Sequence, residues 1–490
     1  MQPDRPPQAS GPTWQLEATY TRQLPELFYE HTSAAKFPAP KTVIFNAAVA
    51  DSLGLHVDDP GSGAAARLLC GQDIPPGCKP FAQAYAGHQF GGFTMLGDGR
   101  ALVLGEVVDP RGKRFDLQLK GSGRTRYSRG GDGLAALGPM LREYVMSEAL
   151  AALGVPTTRS LAVVATGAAV YRDRPLPGAV LCRVAASHLR VGTFQYAIAS
   201  GDTANVQALL DYAIKRHAPE LADAASPPLE FLGKVVSKQA NLVADWMAIG
   251  FIHGVMNTDN VSIAGETIDY GPCAMMEAYD PATVFSSIDS QGRYAYANQP
   301  EIMLWNLCRL AETLLPLIDD DAERAIEKTT ERLQAFEPEY EAAWRTRMRR
   351  KLGLEATTGQ PDQWIDEMLG WLQSQRRDWT NFFRDLSDDA VDSGDPLLGT
   401  SWYSAWQQAL ATQPGGPSTA RDRMRATNPS VIPRNTIVES VLDAANDGDL
   451  GPLETLLQVL SDPWTARPRS DPYRQPRPAN APAYQTFCGT

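Results

Sequence analysis

Two short polar segments near the middle of the chain carry residue types that suit metal-dependent phosphate chemistry. The first runs from His253 to Asn260, and Asp269 follows nine residues later. Asparagine and aspartate oxygens are suitable ligands for Mg²⁺ or Mn²⁺, so Asn260 and Asp269 are the candidate metal-binding residues. Asp259 lies beside Asn260 and is a carboxylate that could accept a proton. The spacing therefore predicts a metal site with a candidate general base next to it.

The spacing also matches the catalytic and metal loops of protein kinases, except at one position. Those enzymes use H-x-D-x-x-x-x-N to supply a base and a metal ligand, and a later D-x-G to supply a second ligand. His253, Asn260 and Asp269 fit this pattern. Val255 occupies the position of the base, and valine can neither accept a proton nor bind a metal. Either Asp259 replaces the missing base, or it caps a turn and the chain has no base.

A basic, glycine-rich segment lies earlier in the chain, at residues 120–133. It begins with Lys120 and reads KGSGRTRYSRGGDG. Its glycines allow backbone N–H groups to converge on an anion, and its three arginines add positive charge. It lacks the G-x-x-x-x-G-K-[ST] pattern of a Walker A loop. In an acidic protein this segment favours a phosphate ligand over nucleic acid, and the alternative is a solvated basic turn.

Two further groups of residues are compatible with nucleotide binding and also with ordinary structural roles. Glu143 could hold Lys120 against phosphates through an ion pair. Glu148 is a rival for that role, and either carboxylate could simply lie on a helix surface. Arg183 and Arg190 could clamp a polyphosphate, or they could form salt bridges between lobes.

The elements that would position these residues form a β-rich region followed by a helical one. The predicted elements are strands at 101–108 and 114–120, a helix at 139–153, strands at 161–165 and 179–182, and helices at 233–252, 304–317, 320–335 and 338–352. The strand at 114–120 alternates between apolar residues on one face and Asp116, Gln118 and Lys120 on the other. The segment at 85–100 has five glycines, which is typical of a loop that covers a nucleotide and also of a hairpin with loose turns.

This order of elements indicates an α+β fold of the protein-kinase type with two lobes, since 490 residues are too many for one core. The N-lobe would be β-rich with one key helix, and the larger C-lobe would be α-helical. The predicted segments are an N-terminal extension at 1–40, the nucleotide-binding N-lobe at 41–185, the C-lobe with the catalytic and metal loops at 186–462, and a Pro-rich tail at 463–490.

The composition argues against several classes of protein. The chain has 45 basic and 57 acidic residues, and its net charge of −12 disfavours binding to nucleic acid or anionic membranes. No run approaches the roughly 20 apolar residues that span a bilayer, and the N-terminus lacks the apolar region of a secretory signal. We therefore expect a cytoplasmic protein. The six cysteines are scattered without a C-x-x-C pair, which argues against a zinc site or a disulfide scaffold.

A set of longer motifs resembles the selenoprotein O family, whose members are kinase-fold protein adenylyltransferases. The matching motifs are YAGHQFGG at 85–92, LGDGR at 96–100, QLKGSGRT at 118–125, YSRGGDG at 127–133, LREY at 141–144, RVAxSHLRVG at 183–192, HGVMNTDN at 253–260 and IDYGP at 268–272. Together they are long enough to be highly specific. The helical second half of the chain is compatible with the family but adds less.

The resemblance implies that ATP binds inverted relative to kinases. The enzyme would then transfer AMP to Ser, Thr or Tyr hydroxyls of proteins and release pyrophosphate. Carried over position by position, it implies that Asp259 is the base and that Glu143 orients Lys120. It also implies that Asn260 and Asp269 hold Mg²⁺ or Mn²⁺. The residues implied to bind ATP are Gly97, Gly99, Arg100, Lys120, Asp132, Gly133, Arg183, Arg190 and Asp269.

Two cysteines gain interest from this resemblance. Many eukaryotic members of the family end with a selenocysteine, and this chain has Cys488 as its sulfur counterpart. Cys273 follows directly after the motif that contains Asp269. We predict a reversible disulfide between Cys273 and Cys488 that holds the Pro-rich tail on the active-site loop, with a regulatory role.

Three functions therefore compete. The favoured one is a protein adenylyltransferase that uses ATP, a metal ion and protein substrates, with no nucleic-acid or membrane partner. The first alternative is a phosphotransferase of the kinase type. The second is a catalytically dead, nucleotide-binding pseudokinase scaffold, a function that would be consistent with Val255.

Overall fold

The structure is a computed structural model that describes residues 14–355, 363–478, 480–482 and 484–486. The chain divides into two compact units. The first consists of Met1–Ala86, Met95–Tyr144 and Thr158–His188, and the second of Gly87–Thr94, Val145–Thr157 and Leu189–Thr490. An antiparallel sheet and many helices confirm the expected α+β class. The segment boundaries that we drew from the sequence stay predictions.

The first unit contains a mostly antiparallel sheet that carries several of the candidate residues. Its strands, in spatial order, are Tyr29–His31, Phe81–Gln83, Ala101–Val108, Arg114–Lys120, Pro175–Ala185, Arg159–Tyr171 and Lys41–Phe45, and Ala135–Ala136 also pairs with Pro175–Ala185. The two strands predicted at 101–108 and 114–120 are confirmed at both ends. Those predicted at 161–165 and 179–182 lie within longer strands.

The strand Arg114–Lys120 is buried on both faces. Its apolar face places Leu117 and Leu119 in the core of the first unit. Its opposite face carries Asp116, Gln118 and Lys120, and each of these polar side chains is buried as well. Because buried polar groups are costly unless they are hydrogen-bonded, this face requires partners from neighbouring elements. The predicted alternation is therefore correct, and its polar side belongs to the interior.

The described helices flank this sheet in sequence and dominate the second unit. Those that precede residue 153 are Thr19–Gln23, Ala47–Leu53, Gly63–Leu69 and Leu137–Ala152. The later ones are Val191–Ala199, Thr203–His217, Pro227–Ile249, Gln299–Ile318, Ala322–Gln334, Phe336–Lys351, Gln363–Ser374, Trp379–Ser387, Ser401–Ala411, Gly416–Arg425, Asn435–Asn446 and Gly451–Leu460.

The long helix that precedes His253 differs from its prediction at both ends. It begins at Pro227, where a proline suits the first turn of a helix, and it ends at Ile249. Gly250 stops it by adopting a left-handed conformation with φ 77°. The next two residues, Phe251–Ile252, then pair with Ala274–Met275 as a short antiparallel ladder. His253 therefore follows a strand and not the helix itself.

The glycine-rich segment contains a hairpin, a conformation that is compatible with both of its interpretations. Its strands are Ala86–Gln89 and Gly92–Met95. Phe90 and Gly91 form the turn, and both have positive φ, at 51° and 93°. Two-residue hairpin turns favour such conformations because they match the twist of the strands.

Within the described residues, no helix combines the length and the apolar character that crossing a bilayer requires. The expected cytoplasmic location stays a prediction. In the Pro-rich tail the structure describes a short turn at Pro472–Arg474, with Arg474 buried. Cys488, which we assigned to a disulfide, lies outside the described residues.

Candidate active site

A buried ion pair joins Lys120 to Glu143 in the first unit. Lys120 ends the central strand Arg114–Lys120, and Glu143 projects from the helix Leu137–Ala152. Their side chains are only 9% and 4% exposed. The ion pair expected from the sequence is therefore present, and Glu143 is the carboxylate that makes it.

Arg183 extends this ion pair into a network of polar side chains. Its Nε donates to Gln118 Oε1 at 3.2 Å, and its guanidinium lies 3.8 Å from Glu143 Oε2. Gln118 and Arg183 are direct cross-strand partners in the sheet, which explains why their side chains meet. Gln118 Nε2 donates in turn to Asp98 Oδ2 at 3.3 Å, and the backbone N–H of Gln83 donates to the same oxygen at 3.1 Å. The network fixes the positions of two buried cations.

The glycines at 97 and 99 allow two turns of the first unit to pack against each other. Thr125 Oγ1 donates to Asp98 O at 2.6 Å, and Ser128 Oγ donates to Gly99 O at 2.5 Å. A Cβ atom on Gly97 would lie 2.4 Å from the Tyr127 ring, and one on Gly99 would lie 2.8 Å from Tyr127 O. Packing therefore requires glycine at both positions. Arg100, which follows them, is half-buried.

Asp132 and Gly133 also have structural roles in the first unit. Asp132 forms an ion pair with Arg172 at 2.9 Å and accepts a hydrogen bond from Leu134 N at 2.9 Å. The hydrogen bond from Arg172 keeps the pKa of Asp132 below its ordinary value. Gly133 has φ 70°, and a Cβ atom there would lie 2.1 Å from Gly123 O. Their assignment to ATP binding stays a prediction beside these contacts.

The three arginines of the basic segment, Arg124, Arg126 and Arg129, are exposed. Exposure is compatible with capture of a phosphate and equally with the solvated turn that we kept as the alternative. The positions of these side chains therefore do not decide between the two interpretations.

In the second unit, buried hydrogen bonds fix the residues next to Asp269 in the sequence. Trp246 Nε1 donates to Thr267 Oγ1 at 2.9 Å, and the His253 ring contacts Ile268 O at 2.9 Å. Tyr270 OH donates to Thr267 O at 2.6 Å. Asp269 itself has φ 65°, which is uncommon for a residue other than glycine and often marks a functional position. His253 is thus a buried residue with a structural role.

Arg190 connects the two candidate acidic residues of the second unit. Its guanidinium lies 2.8 Å from Asp269 Oδ2 and also donates to the backbone oxygen of Asp259. Arg190 is buried, whereas the side chain of Asp269 is 18% exposed. This arginine is therefore fixed beside the loop that carries the candidate base.

Asp259 lies in the short 3₁₀ turn Thr258–Asn260 and is half-buried. Burial raises the pKa of Asp259 to about 6, and the nearby Arg190 opposes part of this increase. A carboxylate with such a pKa can exchange a proton close to neutral pH, which is the property that a general base requires.

Asn260 and Asp269 are the residues whose chemistry suits a divalent metal ion. Asn260 Nδ2 donates to Val255 O at 2.9 Å, and this orientation assigns the amide oxygen as the atom that can bind a cation. Within the described residues, no cluster of three or more His, Cys, Asp or Glu side chains could hold a metal ion by itself. Mg²⁺ commonly takes one or two protein ligands and completes its shell with water and substrate phosphates, so these two residues fit it.

The glycine-rich hairpin contacts the loop of the candidate base, which we did not anticipate. His88 N donates to Thr258 Oγ1 at 2.8 Å, and Gln89 Nε2 donates to both carboxylate oxygens of Asp259, at 3.0 and 3.1 Å. Asp259 and Gln89 are 170 positions apart, and no sequence pattern connects them. By contrast, Gln118 shares a strand face with Lys120, so the alternation could have identified it.

Near Cys273 the structure describes part of the C-terminal tail. Cys273 is buried, and Thr486 Oγ1 donates to the adjacent Pro272 O at 2.8 Å. Thr486 also pairs with Ser286 as an isolated bridge. Thr486, which precedes Cys488 by two positions in the sequence, therefore contacts the segment that follows Asp269.

Comparison with known proteins identifies the class of enzyme to which these residues belong. Three relatives share the description "Protein nucleotidyltransferase YdiU". The one from Brevibacillus brevis is 51% identical over 98% of both chains, the one from Anoxybacillus flavithermus is 52% identical over 97% of this chain and 99% of the relative, and the one from Bacillus cytotoxicus is 50% identical over 97% and 98%. The chain is therefore an enzyme of the protein nucleotidyltransferase class.

Residues 14–461 of the chain match the family described as "Protein adenylyltransferase SelO". The chain belongs to this family. The resemblance seen in the sequence motifs is confirmed, and with it the enzymatic nature of the protein.

Proposed function

We propose that this enzyme transfers AMP from ATP to Ser, Thr or Tyr hydroxyls of proteins and releases pyrophosphate. ATP would bind inverted relative to a kinase, which presents the α-phosphorus for reaction. The observation that carries the proposal is the placement of Asp259. This carboxylate has a pKa raised to about 6 and lies beside Asn260, whereas Val255 occupies the position of the kinase base. A base at Asp259, and not at position 255, is consistent with an ATP orientation that presents the α-phosphorus for reaction.

The proposed ATP-binding residues have complementary roles. Lys120, oriented by Glu143, and the buried Arg183 supply fixed positive charge for the phosphates. Arg190 is fixed by Asp269 and would act in the same way. Charge neutralisation by pre-positioned cations is the dominant contribution to phosphoryl-type transfer. The remaining residues proposed to bind ATP are Gly97, Gly99, Arg100, Asp132, Gly133 and Asp269.

Asn260 and Asp269 would hold Mg²⁺ or Mn²⁺, which when bound supplies further neutralisation of phosphate charge. The fit rests on the oxygen donors of both side chains and on the hydrogen bond that orients the Asn260 amide. Asp269 would also keep Arg190 in place through its 2.8 Å ion pair.

Asp259 would accept the proton of the attacking hydroxyl. The hydroxyl oxygen then forms a bond to the α-phosphorus, and the bond between that phosphorus and the bridging oxygen breaks. Pyrophosphate leaves with the electrons of the broken bond, and the protein substrate carries AMP in an ester linkage. Asp259 holds the displaced proton until it passes to solvent.

ATP labelled with radioactive phosphorus at either the α- or the γ-position tests the proposed reaction. The proposal expects label on protein from α-labelled ATP only. Label from γ-labelled ATP only would establish a kinase-type phosphotransferase, and label from neither would favour a pseudokinase scaffold. Either result would overturn the proposal.

We also infer that the two compact units correspond to the N-lobe and the C-lobe of a kinase-type fold. The support is the sheet with Glu143 and the first half of its helix in the first unit, and the helices with the Asp259 and Asp269 loops in the second. A comparison of the two units with those of kinases in an experimental structure would test this inference.

We further infer a redox role for Cys273 and Cys488, in which oxidation joins them as a disulfide. The support is the contact of Thr486 with Pro272 beside the buried Cys273. Thiol counts on oxidised, denatured protein provide the test. If the pair forms, Cys273→Ser raises the count of free thiols by one, because Cys488 is released. If no pair forms, the same substitution lowers the count by one.

A further inference from the structure

Three consecutive residues of one hairpin form hydrogen bonds with the loop that carries the proposed base. The strands of this hairpin are Ala86–Gln89 and Gly92–Met95. His88 N donates to Thr258 Oγ1 at 2.8 Å, and Phe90 N donates to Asn257 Oδ1 at 3.1 Å. Between them, Gln89 Nε2 donates to both oxygens of the Asp259 carboxylate. Residues 257, 258 and 259 are thus each held by a different hairpin residue.

The amide of Gln89 is fixed at both of its ends. Its nitrogen contacts the Asp259 carboxylate, and its oxygen accepts a hydrogen bond from Asn257 Nδ2 at 3.2 Å. Asn257 Oδ1 accepts a further hydrogen bond from Tyr294 OH. Asn257 and Tyr294 are both buried, with 1% exposure each. A flipped amide would place an oxygen against the carboxylate and lose both contacts, so this chain of hydrogen bonds has one favourable direction.

The backbone at the tip of the hairpin adopts an unfavourable conformation in which this contact forms. Phe90 adopts φ 51°, which disfavours a side chain as large as phenylalanine. The N–H of Phe90 reaches Asn257 from this conformation, and its ring packs on Tyr294 at 5.3 Å between centroids. Gln89 itself is exposed, so its side chain adds little to the core.

We infer that Gln89 is a positioning residue for the transfer reaction, which orients the Asp259 carboxylate toward the attacking hydroxyl. The inference rests on the proposed function, because it takes Asp259 as the base. A half-buried carboxylate can rotate about its side-chain bonds, and a base acts only within hydrogen-bond reach of the proton. Two hydrogen bonds from one amide restrict that rotation without touching the nucleotide.

Kinetics of the Gln89→Ala enzyme test this role. We expect kcat for AMP transfer to fall by about 10- to 100-fold, since small errors in the placement of a reacting group have effects of this size. The KM for ATP should stay unchanged, because Gln89 contacts none of the proposed ATP-binding residues. The melting temperature should change little, because Gln89 is exposed and Asn257 keeps its hydrogen bonds from Phe90 N and Tyr294 OH. Gln207→Ala is the matched control: Gln207 is also an exposed glutamine that donates to an aspartate, Asp211, at 2.7 Å. Its kcat should equal that of the wild type.

Two further variants should lower kcat by different amounts. Tyr294→Phe removes one of the donors to Asn257 and keeps the ring, so it should lower kcat less than Gln89→Ala does. Gln89→Glu replaces the donor with a second carboxylate facing Asp259, so it should lower kcat more.

An unchanged kcat in Gln89→Ala would overturn the inference, and so would equal losses in kcat and in ATP affinity. Asp259→Asn in the same assay separates this failure from a failure of the proposed function. If Asp259→Asn is inactive and Gln89→Ala is fully active, the inference alone is wrong. If Asp259→Asn retains full activity, the proposed base itself is wrong.

Discussion

The two units hold their charged residues in different ways. In the first, Lys120, Glu143 and Arg183 are 7%, 3% and 2% exposed and form a closed network. In the second, Asp259 and Asp269 are half-buried, and the pKa of Asp259 is raised to about 6. A closed network of fixed charge suits binding, because its geometry does not change when a ligand arrives. An accessible carboxylate that titrates near neutral pH suits proton transfer. On the proposed function, the Lys120 network of the first unit would serve ATP binding and Asp259 would serve proton transfer, while Asp269 and Arg190 of the second unit would add to binding.

The largest effect should come from Asp259→Asn, which removes the proton acceptor and keeps the size of the side chain. We expect the transfer rate to fall by about 10²- to 10⁴-fold, the usual contribution of a general base. The affinity for Mg-ATP should stay close to that of the wild type. Transfer rates at saturating ATP and calorimetric ATP titration measure the two quantities. A variant with the wild-type rate would remove Asp259 from the mechanism.

Asp269→Ala should have the next largest effect, and on a different quantity. It removes a proposed metal ligand and also leaves the buried Arg190 without its 2.8 Å ion pair. We expect the affinity for Mg-ATP to fall by at least about tenfold, since metal and nucleotide bind together. Titration with Mg-ATP, compared with ATP in the presence of a chelator, measures the change. Equal affinities in the variant and the wild type would contradict the metal assignment.

Glu143→Gln should act through the first unit. The amide leaves the buried Lys120 and Arg183 facing a neutral group, which should lower the free energy of unfolding by about 3 kcal/mol. The KM for ATP should rise because Lys120 is no longer oriented. Glu148→Gln, on the same helix Leu137–Ala152, tests the rival carboxylate and should raise the KM for ATP less than Glu143→Gln does. Chemical denaturation and steady-state kinetics provide the measurements. If both variants behave alike, Glu143 has no special role.

The pH dependence should show the most gradual effect. Since the pKa of Asp259 is about 6, the active carboxylate form is lost below that pH, and the transfer rate should fall about tenfold per pH unit there. The effect on stability has the opposite sign. A raised pKa means that the folded state holds the proton more tightly, so this group favours folding at low pH and loses that contribution as the pH rises through 6.

Rate profiles and melting curves between about pH 4 and pH 8 check both statements about Asp259. This range extends about two units on either side of its pKa. Asp259→Asn should then gain melting temperature relative to the wild type as the pH rises through this range. A transfer rate that stays constant down to about pH 5 would contradict a base of this pKa.

The sequence predicted the first unit better than the second, for physical reasons. The strand at 101–108 is an apolar run, the strand at 114–120 alternates, and a clear turn separates them. Both ends of each strand are correct. The Lys120–Glu143 pair was expected by analogy with kinases, with Glu148 as the rival, and the family resemblance favoured Glu143. Local patterns of this kind are visible in one sequence, since strand and helix periodicity reflect burial.

The second unit depends on features that no local pattern reports. The contact of Gln89 with Asp259 joins residues 170 positions apart. Asp269 has φ 65°, and Trp246 and His253, which are distant in sequence, form hydrogen bonds with the two residues before it. The end of the helix at Ile249 depends on Gly250, whose left-handed conformation leads into a strand. Tertiary contacts decide each of these details, so only the residue types of this site could be predicted.

The most direct test of the division between the Lys120–Glu143 network and Asp259 uses two variants. Asp259→Asn and Glu143→Gln are assayed side by side for ATP affinity and for single-turnover transfer. The division predicts that Asp259→Asn binds Mg-ATP with the wild-type Kd and fails to transfer AMP even when saturated. It also predicts that Glu143→Gln binds weakly and recovers much of its rate at high ATP. If both variants lost the same quantity, affinity or rate, the assignment of binding to the Lys120–Glu143 network and of proton transfer to Asp259 would be wrong.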